Sequence, residues 1–215
     1  MRMKKDTRTA LVLTGAALLF ILLVKLVDVR EIGPDGSSVG FAALNSAVWE
    51  ALGVKLLWYD ISQALGYLAI LVCLFFAALG AYQLIREKSL KKVDRHFLAL
   101  GALYAVTMVL YVLFDKIAVN YRPVLENGVL EPSYPSSHTM LALVSFGSAA
   151  WMIGKYYAEK KPRLIVTAAL LALMVLAVVT RLLSGFHWLT DILGGLLTAG
   201  ALLAWFVCLC RRIDA

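Results

Sequence analysis

His187 and Asp191 stand four residues apart in the stretch Arg181-Leu-Leu-Ser-Gly-Phe-His187-Trp-Leu-Thr-Asp191. On a helix that spacing puts imidazole and carboxylate on one face. A carboxylate against one ring nitrogen fixes the tautomer and stabilises positive charge as the other nitrogen attacks. Gly185 breaks the preceding helix and lets Arg181 fold back toward His187. A second group, Pro135-Ser136-Ser137-His138, reads as a helix start, with proline and serines supplying turn and cap. Exposed N–H groups at such an end bind anions, and a histidine there can protonate a leaving oxygen. A third group, Lys116 with Arg122-Pro123, offers a point charge and a bidentate phosphate partner. Each group has an ordinary structural reading as well: a helix-end arginine, a first-turn cap, a serine N-cap, basic loop anchors. Their coincidence favours chemistry, and the chemistry these residue types suit is phosphoryl transfer through a histidine.

The elements that must carry these residues are membrane helices. The chain has 215 residues, is 61% hydrophobic and has a mean hydropathy of +0.81. That exceeds the apolar share of soluble domains, and its apolar runs reach the roughly 20 residues that cross a bilayer. The expected fold is all-α and polytopic, one domain over residues 1–215, with six spans near 9–27, 63–85, 96–114, 138–154, 164–183 and 189–209. The first span is too long for a cleaved signal peptide, and no small-residue cleavage site follows it. Residues 41–59 have helical apolar spacing with Trp49, Trp58 and Tyr59, which predicts a helix lying at the outer membrane surface. Fifteen of the 21 basic residues fall at the N-terminus, in the second–third and fourth–fifth connections and after the last span. The positive-inside rule assigns that face to the cytoplasm, with both termini inside and the three chemical groups on the extracytoplasmic side. The net charge of +7 follows from this asymmetry and does not imply nucleic-acid binding. Ionisable groups at membrane depth are costly, so their clustering at one end is itself a functional signal. His96, beside Arg95 at the other end, reads as an interfacial residue. Cys73, Cys208 and Cys210 lie in apolar segments and suggest neither a disulfide framework nor a metal site.

At these motifs the sequence resembles the type 2 phosphatidic acid phosphatase superfamily of integral-membrane lipid phosphatases. That family carries Lys-x6-Arg-Pro, Pro-Ser-Gly-His and Ser-Arg-x5-His-x3-Asp in this order on a six-helix core. The resemblance implies His187 as nucleophile, Asp191 as its orienting partner and His138 as general acid. It implies phosphate binding by Lys116, Arg122, Ser136, Ser137 and Arg181, with no metal and no other cofactor. Three positions depart from the pattern. Thr180 replaces Ser, Ser137 replaces Gly, and only five residues separate Lys116 from Arg122, leaving Asp115 at the six-residue separation. One residue on a helix is about 100° of rotation, so Asp115 is expected to pair with Lys116 and not with phosphate.

The function expected is metal-independent hydrolysis of a membrane lipid phosphate through a phosphohistidine. Undecaprenyl diphosphate is the first candidate, then phosphatidylglycerol phosphate and phosphatidic acid, in a bacterial plasma membrane. The partners are the lipid substrate and the bilayer. A phosphotransferase using the same histidine, or a non-enzymatic transporter of anions or lipids, is the alternative. The interrupted helices and repeats common in transporters are not found.

Overall fold

The structure is a computed structural model describing residues 2–126 and 128–215. Seven α-helices form among these residues: α1 (Arg2–Leu26), α2 (Ala42–Leu52), α3 (Leu56–Glu87), α4 (Arg95–Lys116), α5 (Ser137–Tyr156), α6 (Lys160–Leu183) and α7 (Leu189–Ile213). Five of them, α1, α3, α4, α6 and α7, are long and apolar enough to cross a membrane. Their outward faces carry exposed aliphatic residues, for example Leu22, Leu71, Val109 and Ile165. Such faces are at home only in lipid, so this is a multi-pass membrane protein.

The remaining predicted span, α5, has the length at 20 residues but not the apolarity. Its place in the bundle explains this. It packs against α3, α4, α6 and α7, and buries Met140, Leu143, Val144, Phe146, Ala149 and Met152. A helix shielded from lipid can carry polar side chains, provided that neighbours satisfy them. Ser145 Oγ donates to the Ala69 carbonyl of α3 at 2.7 Å, and Ser148 Oγ lies 3.2 Å from Tyr104 Oη of α4. Interhelical hydrogen bonds of this kind contribute about 0.6 kcal/mol each. On the far side of the bundle α1 runs along α7, where Trp205 Nε1 donates to Thr14 Oγ1 at 3.1 Å and Arg211 pairs with Asp6 at 2.6 Å.

The helix expected over 41–59 is interrupted. α2 stops at Leu52, and Gly53 takes a positive φ of 65° as its C-cap. α3 then begins at Leu56, so Trp58 and Tyr59 sit in its first turn and not on a surface helix. The reason is tertiary. Lys55 N–H donates to Ser184 O at 3.0 Å, and Trp49 Nε1 donates to Gly185 O at 3.0 Å, which docks this corner onto the α6–α7 turn. A Cβ on Gly185 would lie 2.3 Å from Gly53 O, and its φ of +75° also favours glycine. Ahead of α2, a turn at Pro34–Gly36 closes a small antiparallel hairpin, Arg30–Glu31 with Ser38–Val39.

His96 is not a plain interfacial residue. It is buried where α4 starts, with Nδ1 2.9 Å from Asp94 and Nε2 3.0 Å from Asp214 after α7. Tyr156 Oη donates to Asp94, and Lys155 pairs with Asp214 at 2.5 Å, so this cluster ties α4, α5 and α7 at one end of the bundle. The three chemical motifs gather at the opposite end.

Candidate active site

The ends of α3, α4, α5, α6 and α7 and one loop supply the site. The α6–α7 turn is set by its own hydrogen bonds: Ser184 Oγ donates to Arg181 O at 2.7 Å, and Gly185 reverses the chain. Asp191 caps α7 by accepting from Trp188 N–H at 3.0 Å through Oδ2. The same oxygen lies 3.4 Å from His187 Nδ1. On the other side of the ring, Arg181 Nη2 lies 3.0 Å from His187 Nε2. A guanidinium has only donors, so Nε2 must be the acceptor. The ring proton is therefore on Nδ1, 3.4 Å from the carboxylate and short of hydrogen-bond geometry, and the lone pair is on Nε2.

His187 is 3% exposed, and burial first, then the charges of Arg181 and Arg122, holds its pKa well below the usual histidine value. It is neutral, the form that attacks. Arg181 is itself 1% exposed. Its Nη1 donates to Ser62 Oγ at 3.2 Å, and its guanidinium stands over the Tyr59 ring at 5.6 Å. Thr180 turns its hydroxyl back onto Leu176 O at 2.8 Å, so the Ser-to-Thr departure is absorbed within α6.

A polar cavity of about 200 Å³ opens above His187, lined among others by Arg122, Glu131, Ser133, Ser137 and Asp115. Arg122 N–H donates to Glu131 O at 3.0 Å, which fixes the start of its loop. Its guanidinium is held between Glu126 at 2.7 Å and Glu131 at 3.1 Å, and Tyr59 Oη donates to Glu126 at 2.5 Å. Ser137 also lines a second, mostly apolar groove of about 420 Å³ between α3, α4 and α5. His138 lines that groove, against Gly66 of α3, where a Cβ would fall 2.7 Å from its ring. Two volumes thus meet at Ser137: one polar, the other apolar and membrane-facing.

The expected site residues are distributed unevenly. Arg181, His187 and Asp191 are in mutual contact, Arg122 and Ser137 share the polar cavity with His187, and His138 flanks it from the groove. Ser136 is buried as the N-cap of α5, its hydroxyl accepting from Thr139 N–H at 3.4 Å and its own N–H donating to Asp191 O at 3.0 Å. Lys116 does not line the cavity. Its side chain is 76% exposed and pairs with Asp115 at 3.2 Å, as the shortened spacing suggests. Tyr59, Ser62, Asn120, Glu126 and Glu131 were invisible as site residues in the sequence. Tyr59 read as an interface aromatic, and the others carry no spacing that separates them from loop or helix filler. Among the described residues no group of three or more His, Cys, Asp or Glu could hold a metal ion.

A bundle of membrane helices with its ionisable chemistry gathered at one end defines a multi-pass membrane protein with an anion-directed polar site. Residues 96–213, from α4 to α7 and including all three motifs, match the PAP2 superfamily. The chain belongs to that superfamily and is a phosphatase acting on lipid phosphates. Its fold is similar to the crystal structure of a transmembrane PAP2-type phosphatidylglycerolphosphate phosphatase from Bacillus subtilis, with a TM-score of 0.60 and 18% identity over 95% of this chain and 96% of that one. No curated protein matches the sequence.

Proposed function

We propose that the protein hydrolyses a membrane lipid phosphate at the outer face of a bacterial plasma membrane through a phosphohistidine on His187. One observation carries this reading: a neutral imidazole, its Nε2 lone pair held by Arg181 until a phosphate draws the guanidinium away, lines a polar cavity that shares Ser137 with an apolar groove. The phosphate fits the first volume and the lipid tail the second. In the first step Nε2 of His187 attacks phosphorus in line, and the bond from phosphorus to the leaving oxygen breaks. His138 gives that oxygen a proton, Arg181 swings from Nε2 onto the phosphoryl oxygens, and Asp191 balances the imidazolium-like charge. Water then attacks phosphorus, His138 takes its proton, and the N–P bond breaks to release inorganic phosphate. Phosphoryl transfer places little covalent demand on the protein, so charge and position do most of the work.

Arg122, Arg181 and Ser137 are the phosphate-binding groups of this reading, with Ser136 as cap of the anion-binding helix end. Lys116 is retained only as a candidate contact. Undecaprenyl diphosphate remains the first substrate, because its diphosphate is processed on the outer face. The likeness to a phosphatidylglycerolphosphate phosphatase supports that lipid as the next, followed by phosphatidic acid. Purified protein in liposomes, given each lipid in turn with EDTA present, tests this. Free phosphate released by wild type and not by His187→Ala is the expected result. Transfer to a lipid or sugar acceptor with no free phosphate identifies a transferase instead. Turnover that requires a divalent ion overturns the metal-free mechanism.

A further inference from the structure

Behind the His187–Asp191 pair lies a chain of buried amides that the reaction itself does not use. Asn120, 1% exposed in the α4–α5 connection, donates through Nδ2 to Asp191 Oδ1 at 3.3 Å and to Thr190 Oγ1 at 3.3 Å. Its Oδ1 accepts from Gly40 N–H at 3.3 Å. That backbone donor forces the amide oxygen toward Gly40 and the NH2 toward Asp191, which settles which way the side chain points. Asn45 of α2, fully buried, grips the same helix start. Its Nδ2 donates to Gly40 O at 2.8 Å and Thr190 Oγ1 at 2.9 Å, and its Oδ1 accepts from Thr190 N–H at 3.2 Å.

We propose that Asn120 is a positioning residue for the nucleophile, holding the Asp191 carboxylate in the rotation that keeps His187 protonated on Nδ1, with Asn45 and Thr190 anchoring it from α2. The proposal rests on the lipid-phosphatase reading for its kinetics but not for its spectroscopy. Asp191 Oδ2 has two tasks, capping Trp188 N–H and facing His187. Rotation about the carboxylate bond would exchange the two oxygens or swing both away from the ring. The donor on Oδ1 opposes that rotation. A buried carboxylate oxygen deprived of its donor is costly and turns to find another. Once Arg181 leaves Nε2 for the phosphate, His187 can then take the other tautomer, with its proton on Nε2, and the attacking lone pair is lost. Arg122, Arg181 and Ser137 are untouched by this change, so phosphate binding persists.

The test compares wild type, Asn120→Ala, Asp191→Asn and the double variant in liposomes, on whichever lipid phosphate wild type turns over. Asn120→Ala should lower kcat about 10- to 100-fold, the usual cost of losing a partner that orients a reacting group, with KM within about twofold. In the Asp191→Asn background the same substitution should change little, because there is no carboxylate left to hold. Equal losses in both backgrounds, or a rise in KM at constant kcat, overturn the proposal. If Asn120→Ala does not fold, Thr190→Val removes the hydroxyl that both amides share and should give a smaller kcat loss of the same kind. In an Arg181→Met background, where no guanidinium fixes Nε2 as an acceptor, the 15N shifts of the His187 ring, assigned by difference from His187→Ala, read the tautomer without any substrate. A shift from Nδ1–H toward Nε2–H in Asn120→Ala is expected, and an unchanged tautomer overturns the proposal. Wild type that hydrolyses no lipid phosphate sinks the functional reading alone, since the tautomer still decides the role of Asn120.

Discussion

At the residue scale, the two histidines of the site differ in surroundings and so should differ in failure. His187 sits buried between Arg181 and Asp191, whereas His138 flanks the apolar groove. His187→Ala should abolish turnover of every substrate. His138→Ala should be rescued in part by a leaving group that needs no proton, such as nitrophenolate. Rates on both substrate types check this, and rescue of His187→Ala instead would exchange the roles. Glu126 is the residue whose importance the sequence hid. Its carboxylate holds Arg122 at 2.7 Å and so competes with an anionic substrate for that guanidinium. Glu126→Gln should therefore lower KM roughly two- to fivefold, the scale of a partly exposed ion pair, with kcat nearly unchanged. Initial-rate kinetics decide it, and a raised KM would make Glu126 a support for Arg122 and not a competitor. The depressed pKa of buried His187 also has a sign in stability. Below the ordinary histidine pKa the unfolded chain takes up a proton that the folded protein refuses, so stability falls as pH drops through that value. The Tm of wild type should fall more between about pH 7 and about pH 5 than that of His187→Gln.

At the scale of elements, the α6–α7 turn is the part on which the site depends most. Gly185 holds a left-handed backbone two residues before His187 and lies against the Gly53 carbonyl. Gly185→Ala adds the cost of that conformation, roughly 1–2 kcal/mol, and a backbone clash that only separation of the two turns can relieve. A lowered Tm together with a large loss of kcat is expected, because any movement there carries His187 away from Arg181. Unchanged kcat at reduced Tm would mean that the turn is structural only. The element-level surprise is α2. Expected as a surface helix, it ends at Gly53 and sends Asn45 into the start of α7. Its amphipathic spacing was legible, but that its one buried polar face served the site was not. A buried asparagine and a solvated one look alike in sequence.

At the scale of the whole molecule, topology is the decisive property. Most basic residues lie at the His96 end, and the polar cavity opens at the other. A cysteine placed at Val129, 57% exposed in the α4–α5 connection, should react with an impermeant thiol reagent in intact cells. The three native cysteines would first be replaced. Labelling only after lysis would invert the orientation and remove the outer-face substrate from consideration.

The membrane class, four of the helices to within a few residues, the common end of the motifs and the His-x3-Asp pair are properties of the chain read in one dimension. They follow from runs of apolar residues and from short spacings, and a helix turns both directly into geometry. The enclosure of α5, the break at Gly53, the carboxylates on Arg122, the exposure of Lys116 and the amide chain behind Asp191 were decided only by tertiary structure. The neighbours of Arg122 and Lys116 are near in sequence and were placed by the shape of the α4–α5 connection. The enclosure of α5, the break at Gly53 and the amide chain depend on which residues meet across tens to more than a hundred positions, as Asn45 meets Thr190. Local spacing carries no information about such pairs, because they exist only once the helices have chosen their neighbours.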